Sequence, residues 1–167
     1  MKKFSRIIIL VLLLIGAIAN ICLSSYIEHQ KVLNEQKSAD TIEECFLGDG
    51  GCATVQTSIY ATNFGFTTQW FALSNPLLGI YVYSLFSVLF AYFLLRAFFG
   101  DMHTKLISRQ AMYALIWGNV VGALFSSWLL IVQFFIIDAT CKYCIWVDSI
   151  QIVTAIVLLL FGKELLK

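Results

Sequence analysis

Apolar residues in this chain collect into four long blocks separated by polar stretches. Residues 7–27 are free of charge and follow Lys2, Lys3 and Arg6; residues 76–95 and 111–137 are also uncharged; residues 145–162 are broken only by Asp148. A helix crosses the roughly 30 Å hydrocarbon core of a bilayer with about 20 residues, so each block predicts a membrane span. The expected fold is all-α, an integral membrane four-helix bundle with spans near 7–27, 76–95, 111–137 and 145–162. Pro76 stands where a helix tolerates proline, in the first turn. The first block also fits a secretory signal, with its basic start and Ala17-Ile18-Ala19. Its apolar part is longer than such signals usually carry, which favours a retained helix.

Composition agrees and narrows the class. The chain of 167 residues is 60% hydrophobic and 13% charged, with a net charge of +1. Such a chain is neither disordered nor a nucleic-acid binder, because it has apolar surface to bury and no basic field. A single proline leaves no Pro-rich linker, so one domain over residues 1–167 is expected.

Basic residues set the orientation. With the N-terminus in the cytoplasm, Lys2, Lys3, Arg6, Arg96, Lys105, Arg109, Lys163 and Lys167 lie inside, and only Lys31, Lys37 and Lys142 lie outside. Both termini are then cytoplasmic. A long extracytoplasmic loop covers residues 28–75, a short inside connection covers 96–110, and an outer turn covers 138–143. His103 falls in the inside connection with nothing nearby to complete a site.

That topology sorts the cysteines. Cys22 lies within the first span, where a thiol acts as a small hydrophobe. Cys45, Cys52, Cys141 and Cys144 all fall on the outer side, where disulfides persist. Cys141-Lys142-Tyr143-Cys144 is a C-x-x-C motif opening the fourth helix. A helix N-terminus favours negative charge and Lys142 adds a positive one, a setting suited to a disulfide that is easily reversed. Cys45 and Cys52 bracket a turn with Gly48, Gly50 and Gly51, ringed by Asp40, Glu43, Glu44 and Asp49. This pair is either a structural clasp or an exchange partner for the C-x-x-C. A zinc site is the weaker reading, since six residues between Cys45 and Cys52 is loose spacing and no histidine is near; no metal is expected.

Polar residues inside the spans are rare enough to read singly. Cys141, Cys144, Asp148 and Gln151 share one stripe of the fourth helix. A carboxyl group one turn below Cys144 is costly in apolar surroundings, which makes Asp148 a candidate proton relay. Asn119, Gly122, Ser126 and Gln133 form a second stripe on the third span, which interhelical packing explains adequately. A dithiol at a membrane surface passes two electrons to an acceptor, and a membrane-embedded acceptor would be a lipid-soluble quinone.

These features together resemble the vitamin K epoxide reductase family, in particular its bacterial homologues that make disulfides, here without a fused thioredoxin-like domain. The likeness rests on the four-span core, the loop pair after the first span, and C-x-x-C opening the fourth. It extends to Ser58, six residues after Cys52 in Cys-Ala-Thr-Val-Gln-Thr-Ser, and to Asn75-Pro-Leu-Leu-Gly79 at the second span. The resemblance implies that Cys45 exchanges with a reduced thioredoxin-like partner acting in trans, Cys52 relays electrons to Cys141, and Cys144 acts on the quinone. Ser58 and Asn75 would donate hydrogen bonds to its oxygens. The acceptor would be ubiquinone, menaquinone or vitamin K. Animal members have a tyrosine four residues after the second C-x-x-C cysteine, where this chain has Asp148. The disulfide oxidases called DsbB share the chemistry but place C-x-x-C in the first outer loop, the reverse of the order here. A rival of another class is a tetraspan protein with permanent structural disulfides. The absence of a retention signal favours a bacterial plasma membrane over the endoplasmic reticulum.

Overall fold

The computed structural model describes residues 3–36, 54–56, 58–61, 74–99 and 105–165. Four long helices account for most of them: α1 (Lys3–Gln36), α2 (Asn75–Phe99), α3 (Lys105–Ile131) and α4 (Lys142–Leu165). Each contains an apolar stretch long enough to cross a membrane. No strand occurs among the described residues.

The helices overshoot the apolar blocks that predicted them. The blocks mark the stretch that avoids water, whereas backbone hydrogen bonding carries a helix on into polar flanks. The largest difference is in α1, which runs to Gln36, so residues 28–36 of the expected outer loop are helical. At α3 the difference is of another kind. Regular helix stops at Ile131, and Val132–Ile136 form a wider turn in which the Ile137 N–H reaches back to the Val132 carbonyl, 2.9 Å. Asp138 then takes a left-handed φ of 51°, which aspartate tolerates better than most residues, and the chain turns toward α4.

The core lies along the inward faces. Leu10, Leu13 and Ala17 of α1 meet Tyr83, Phe86, Phe90 and Phe93 of α2, Met112 and Leu115 of α3, and Leu158 of α4. On the outward faces, Leu12, Val88, Leu124, Phe135 and Leu160 are exposed. So much exposed apolar surface would drive association in water; in lipid it faces its own solvent. Cys22, expected inside the span as a buried hydrophobe, is a free thiol on this outer face.

Packing is unequal around the bundle. α1 packs closely along α2 and α3 along α4, and α1 joins α4, but α2 and α3 scarcely touch. Gly79 permits the α1–α2 approach: a Cβ there would stand 3.1 Å from Ser24 Oγ. At the start of α2, Ser74 is the N-cap. Its Oγ accepts the Leu77 N–H at 3.3 Å, and its carbonyl accepts the Leu78 N–H at 3.0 Å. The same hydroxyl donates to the carboxylate of Glu28 on α1, so one side chain both starts α2 and pins it to α1. Replacing Ser74 with Ala should therefore cost about 1 kcal/mol or somewhat more. Thermal unfolding in detergent should show the loss, with Ser74→Thr recovering most of it; an unchanged midpoint for Ser74→Ala would refute the dual role.

Candidate functional site

The loose α2–α3 seam opens into a cavity of about 620 Å³ at the end of the bundle where α2 and α4 begin. Its walls are mostly apolar, with Ile27 from α1, Val82 from α2, and Val121, Phe125 and Leu129 from α3. That volume and lining suit a small organic ligand. A few polar side chains converge on it: Gln56, Ser58, Asn75, Ser126, Gln133, Asp148 and Gln151, together with the Cys144 thiol.

The C-x-x-C motif lies at the mouth. Cys141 is the last residue before α4, and its carbonyl accepts the Ile145 N–H at 3.0 Å, the first bond of the helix. Its own N–H donates to Gln133 Oε1 at 3.2 Å. Cys141 is fully buried (0% exposed), packed with Val55, Ile137 and Ala139. Cys144, one turn into α4, is half-buried and borders the cavity, whereas Cys141 does not. Between them Tyr143 stacks at an angle on Tyr26 of α1, with ring centroids 4.9 Å apart, so the motif is held from two sides. Cys45 and Cys52 lie outside the described residues.

Ser58 and Asn75 come to the same cavity although they are far apart in sequence. Ser58 sits in a compact turn. Its N–H and its hydroxyl both donate to the Val55 carbonyl, at 3.3 and 2.8 Å, and its carbonyl accepts the Ala61 N–H at 3.0 Å. Asn75 Nδ2 donates to the Tyr60 carbonyl at 2.7 Å, which fastens this turn, with its short helix Ile59–Ala61, to the head of α2. The single proton of the Ser58 hydroxyl is thus engaged by Val55 in this structure, and a ligand oxygen would have to compete for it.

Deeper in, the two polar stripes face one another. Gln151 Nε2 donates to the carbonyl and side-chain oxygens of Asn119, at 3.1 and 3.3 Å, while Asn119 Nδ2 donates to Leu115 O at 2.8 Å. Packing thus explains Asn119, as expected. It does not explain all of the stripe. Ser126 lies beside Asp148, both are buried, and both border the cavity, as does Tyr83. Gln133 likewise serves the cavity and the C-x-x-C rather than α3 packing alone. Its signal in the sequence was its place on the shared face, but only the turn at 132–138 folds it back onto Cys141. Gln56 had no such signal, since it falls outside the apolar blocks, in the expected outer loop, where periodicity says nothing.

Among curated proteins, none matches the chain. The model of the vitamin K epoxide reductase family matches residues 7–159. With nearly its whole length matched and its helices, C-x-x-C and cavity arranged as above, this chain belongs to the vitamin K epoxide reductase family of membrane thiol–disulfide oxidoreductases.

Proposed function

We propose that this protein oxidises the dithiol of a thioredoxin-fold partner acting in trans and passes the electrons to a quinone held in the α2–α3 cavity. The observation that carries the reading is the position of Cys144, a thiol at the opening turn of α4 that borders an apolar cavity of about 620 Å³. A flat ring with an apolar tail fits such walls, and the convergent polar groups suit its oxygens. When bound, the quinone supplies an acceptor for two electrons and two protons.

The chain's own residues then divide the work. Cys45 exchanges with the partner dithiol, which leaves as a disulfide. Cys52 passes the reducing equivalents to Cys141. Val55, three residues after Cys52, packs on Cys141, and three residues of extended chain reach at most about 10 Å, which bounds the distance the relay has to cover. Cys141 and Cys144 close to a disulfide as they release two electrons and two protons. Ser58 and Asn75 orient the ring by hydrogen bonds, with the Val55 and Tyr60 carbonyls as competing partners. Asp148, beside Ser126, hands a proton from the thiol side to a ring oxygen and is recharged as the thiols are oxidised. Water is kept from this transfer by the apolar walls. The excess of basic residues at the far end supports cytoplasmic termini and an extracytoplasmic thiol site, in a bacterial plasma membrane.

The reading is tested with purified protein, a reduced thioredoxin-fold donor and ubiquinone-1, following hydroquinone formation. Replacing Cys144 with Ser should abolish quinone reduction while the partner can still be trapped at Cys45 as a mixed disulfide; normal turnover in that variant would sink the electron order. Replacing Asp148 with Asn should slow quinone reduction by roughly a hundredfold, the scale of a lost general acid. Thiol exchange with the partner should keep its wild-type rate. If both half-reactions slowed equally, Asp148 would be a structural residue.

A further inference from the structure

Most polar groups that border the cavity with a resolved bond already spend it within the protein. Ser58 donates to Val55, Asn75 to Tyr60, Gln151 to Asn119, and Gln133 accepts from Cys141. Gln56 is the exception. Its side chain is buried (5% exposed) and borders the cavity. Its Oε1 is sealed from solvent and has no hydrogen-bond partner. Among the described residues no other cavity-lining side chain has such an orphaned atom. Buried polar atoms are nearly always paired, so an unpaired one on a side chain that borders a ligand cavity calls for an explanation.

An orphaned acceptor can be satisfied only by a donor. The two redox forms of a quinone differ in this respect: the oxidised ring offers two carbonyl oxygens, which only accept, and the reduced ring offers two hydroxyls, which donate. We infer that Gln56 is a ring contact that distinguishes them, its side-chain oxygen accepting the O–H of the hydroquinone and finding nothing to accept from the quinone. This rests on the thiol–quinone reading above and deepens it by assigning a residue to the reduced form.

The consequence is directional. A site that binds product more tightly than substrate favours the bound quinone's reduction, because binding energy appears only as the O–H bond forms. The balance is unchanged: the Cys141–Cys144 dithiol becomes a disulfide, and its two electrons and two protons convert the quinone to the hydroquinone. A carbonyl oxygen repels a bare ring oxyanion but welcomes a hydroxyl. Gln56 therefore ties electron arrival to protonation at its oxygen, whichever group delivers the proton. The amide's other orientation makes the opposite prediction, since Nε2 would then donate to the quinone carbonyl and favour the oxidised ring.

The test uses the full-length protein in nanodiscs under anaerobic conditions, with ubiquinone-1, its hydroquinone and the hydroquinone dimethyl ether as probes. In the wild type the hydroquinone should bind about tenfold more tightly than its dimethyl ether, the worth of one buried hydrogen bond. Gln56→Met, similar in size and without the acceptor, should weaken hydroquinone binding by about tenfold and change the KM for ubiquinone-1 by less than twofold. Gln56→Glu, which keeps an acceptor, should retain most of the hydroquinone affinity. The dimethyl ether comparison needs no variant, so equal affinities would overturn the inference even if Gln56→Met folds poorly. Equal affinity for hydroquinone and ether in the wild type overturns the inference, as does a larger loss for quinone than for hydroquinone in Gln56→Met. A wild type that binds and reduces no quinone sinks the functional reading itself, which is a separate result.

Discussion

Gln151 can reach Asn119 only because position 122 has no side chain: a Cβ there would stand 2.6 Å from Gln151 Nε2. That contact expresses the constraint on which the bundle depends. Inside a membrane no water waits to satisfy a polar group, so each one must find its partner in the protein or carry a heavy cost. The α3 and α4 stripes meet that demand by facing each other, Gln151 against Asn119 and Asp148 against Ser126. This mating locks α4 to α3. It also turns the first residues of α4, and with them Cys144, toward the α2–α3 seam.

The same constraint shapes the cavity. α1 and α2 are pinned by Ser24 beside Gly79 and by Ser74 on Glu28, while α3 and α4 are pinned by the polar stripes. Two rigid pairs joined through α1 and α4 need not close on the fourth side, and they do not. A void between well-packed pairs is stable because closing it would require breaking contacts within them. The apolar lining follows from the same arrangement, since the seam exposes the faces of α2 and α3 that would otherwise have met each other.

Much of this was legible in the sequence, and the boundary is physical. Four spans, the C-x-x-C at the head of the last, and the stripe of Cys144, Asp148 and Gln151 all follow from local periodicity, which a helix preserves. The ends of the helices were not legible, because polar flanks at 28–36 can be helix or loop with equal hydropathy. Gln133 was visible as a polar residue on the right face, but its role depends on the wide turn after Ile131 and the left-handed Asp138, which no pattern of apolar residues encodes. Gln56, Ser58 and Asn75 meet only because Asn75 binds the Tyr60 carbonyl across an intervening stretch of chain. For Ser58 and Asn75 the resemblance to a family supplied what periodicity could not. Gln56 had neither kind of support.

The two C-x-x-C cysteines differ in environment more than their spacing suggests. Cys141 is enclosed by Val55 and the 137–139 turn and held through its backbone by Gln133; Cys144 is open to the cavity. Helical geometry alone would place the two thiols about one turn apart and no more. The difference comes from what packs on each: a loop segment on the first, a void on the second. The proposed relay, which keeps a protein dithiol and a lipid-soluble acceptor from meeting directly, needs that asymmetry, with one thiol addressing the loop and the other the membrane interior. The bundle provides it without moving a helix, because the N-terminus of α4 lies where the sealed side of the structure gives way to its open seam.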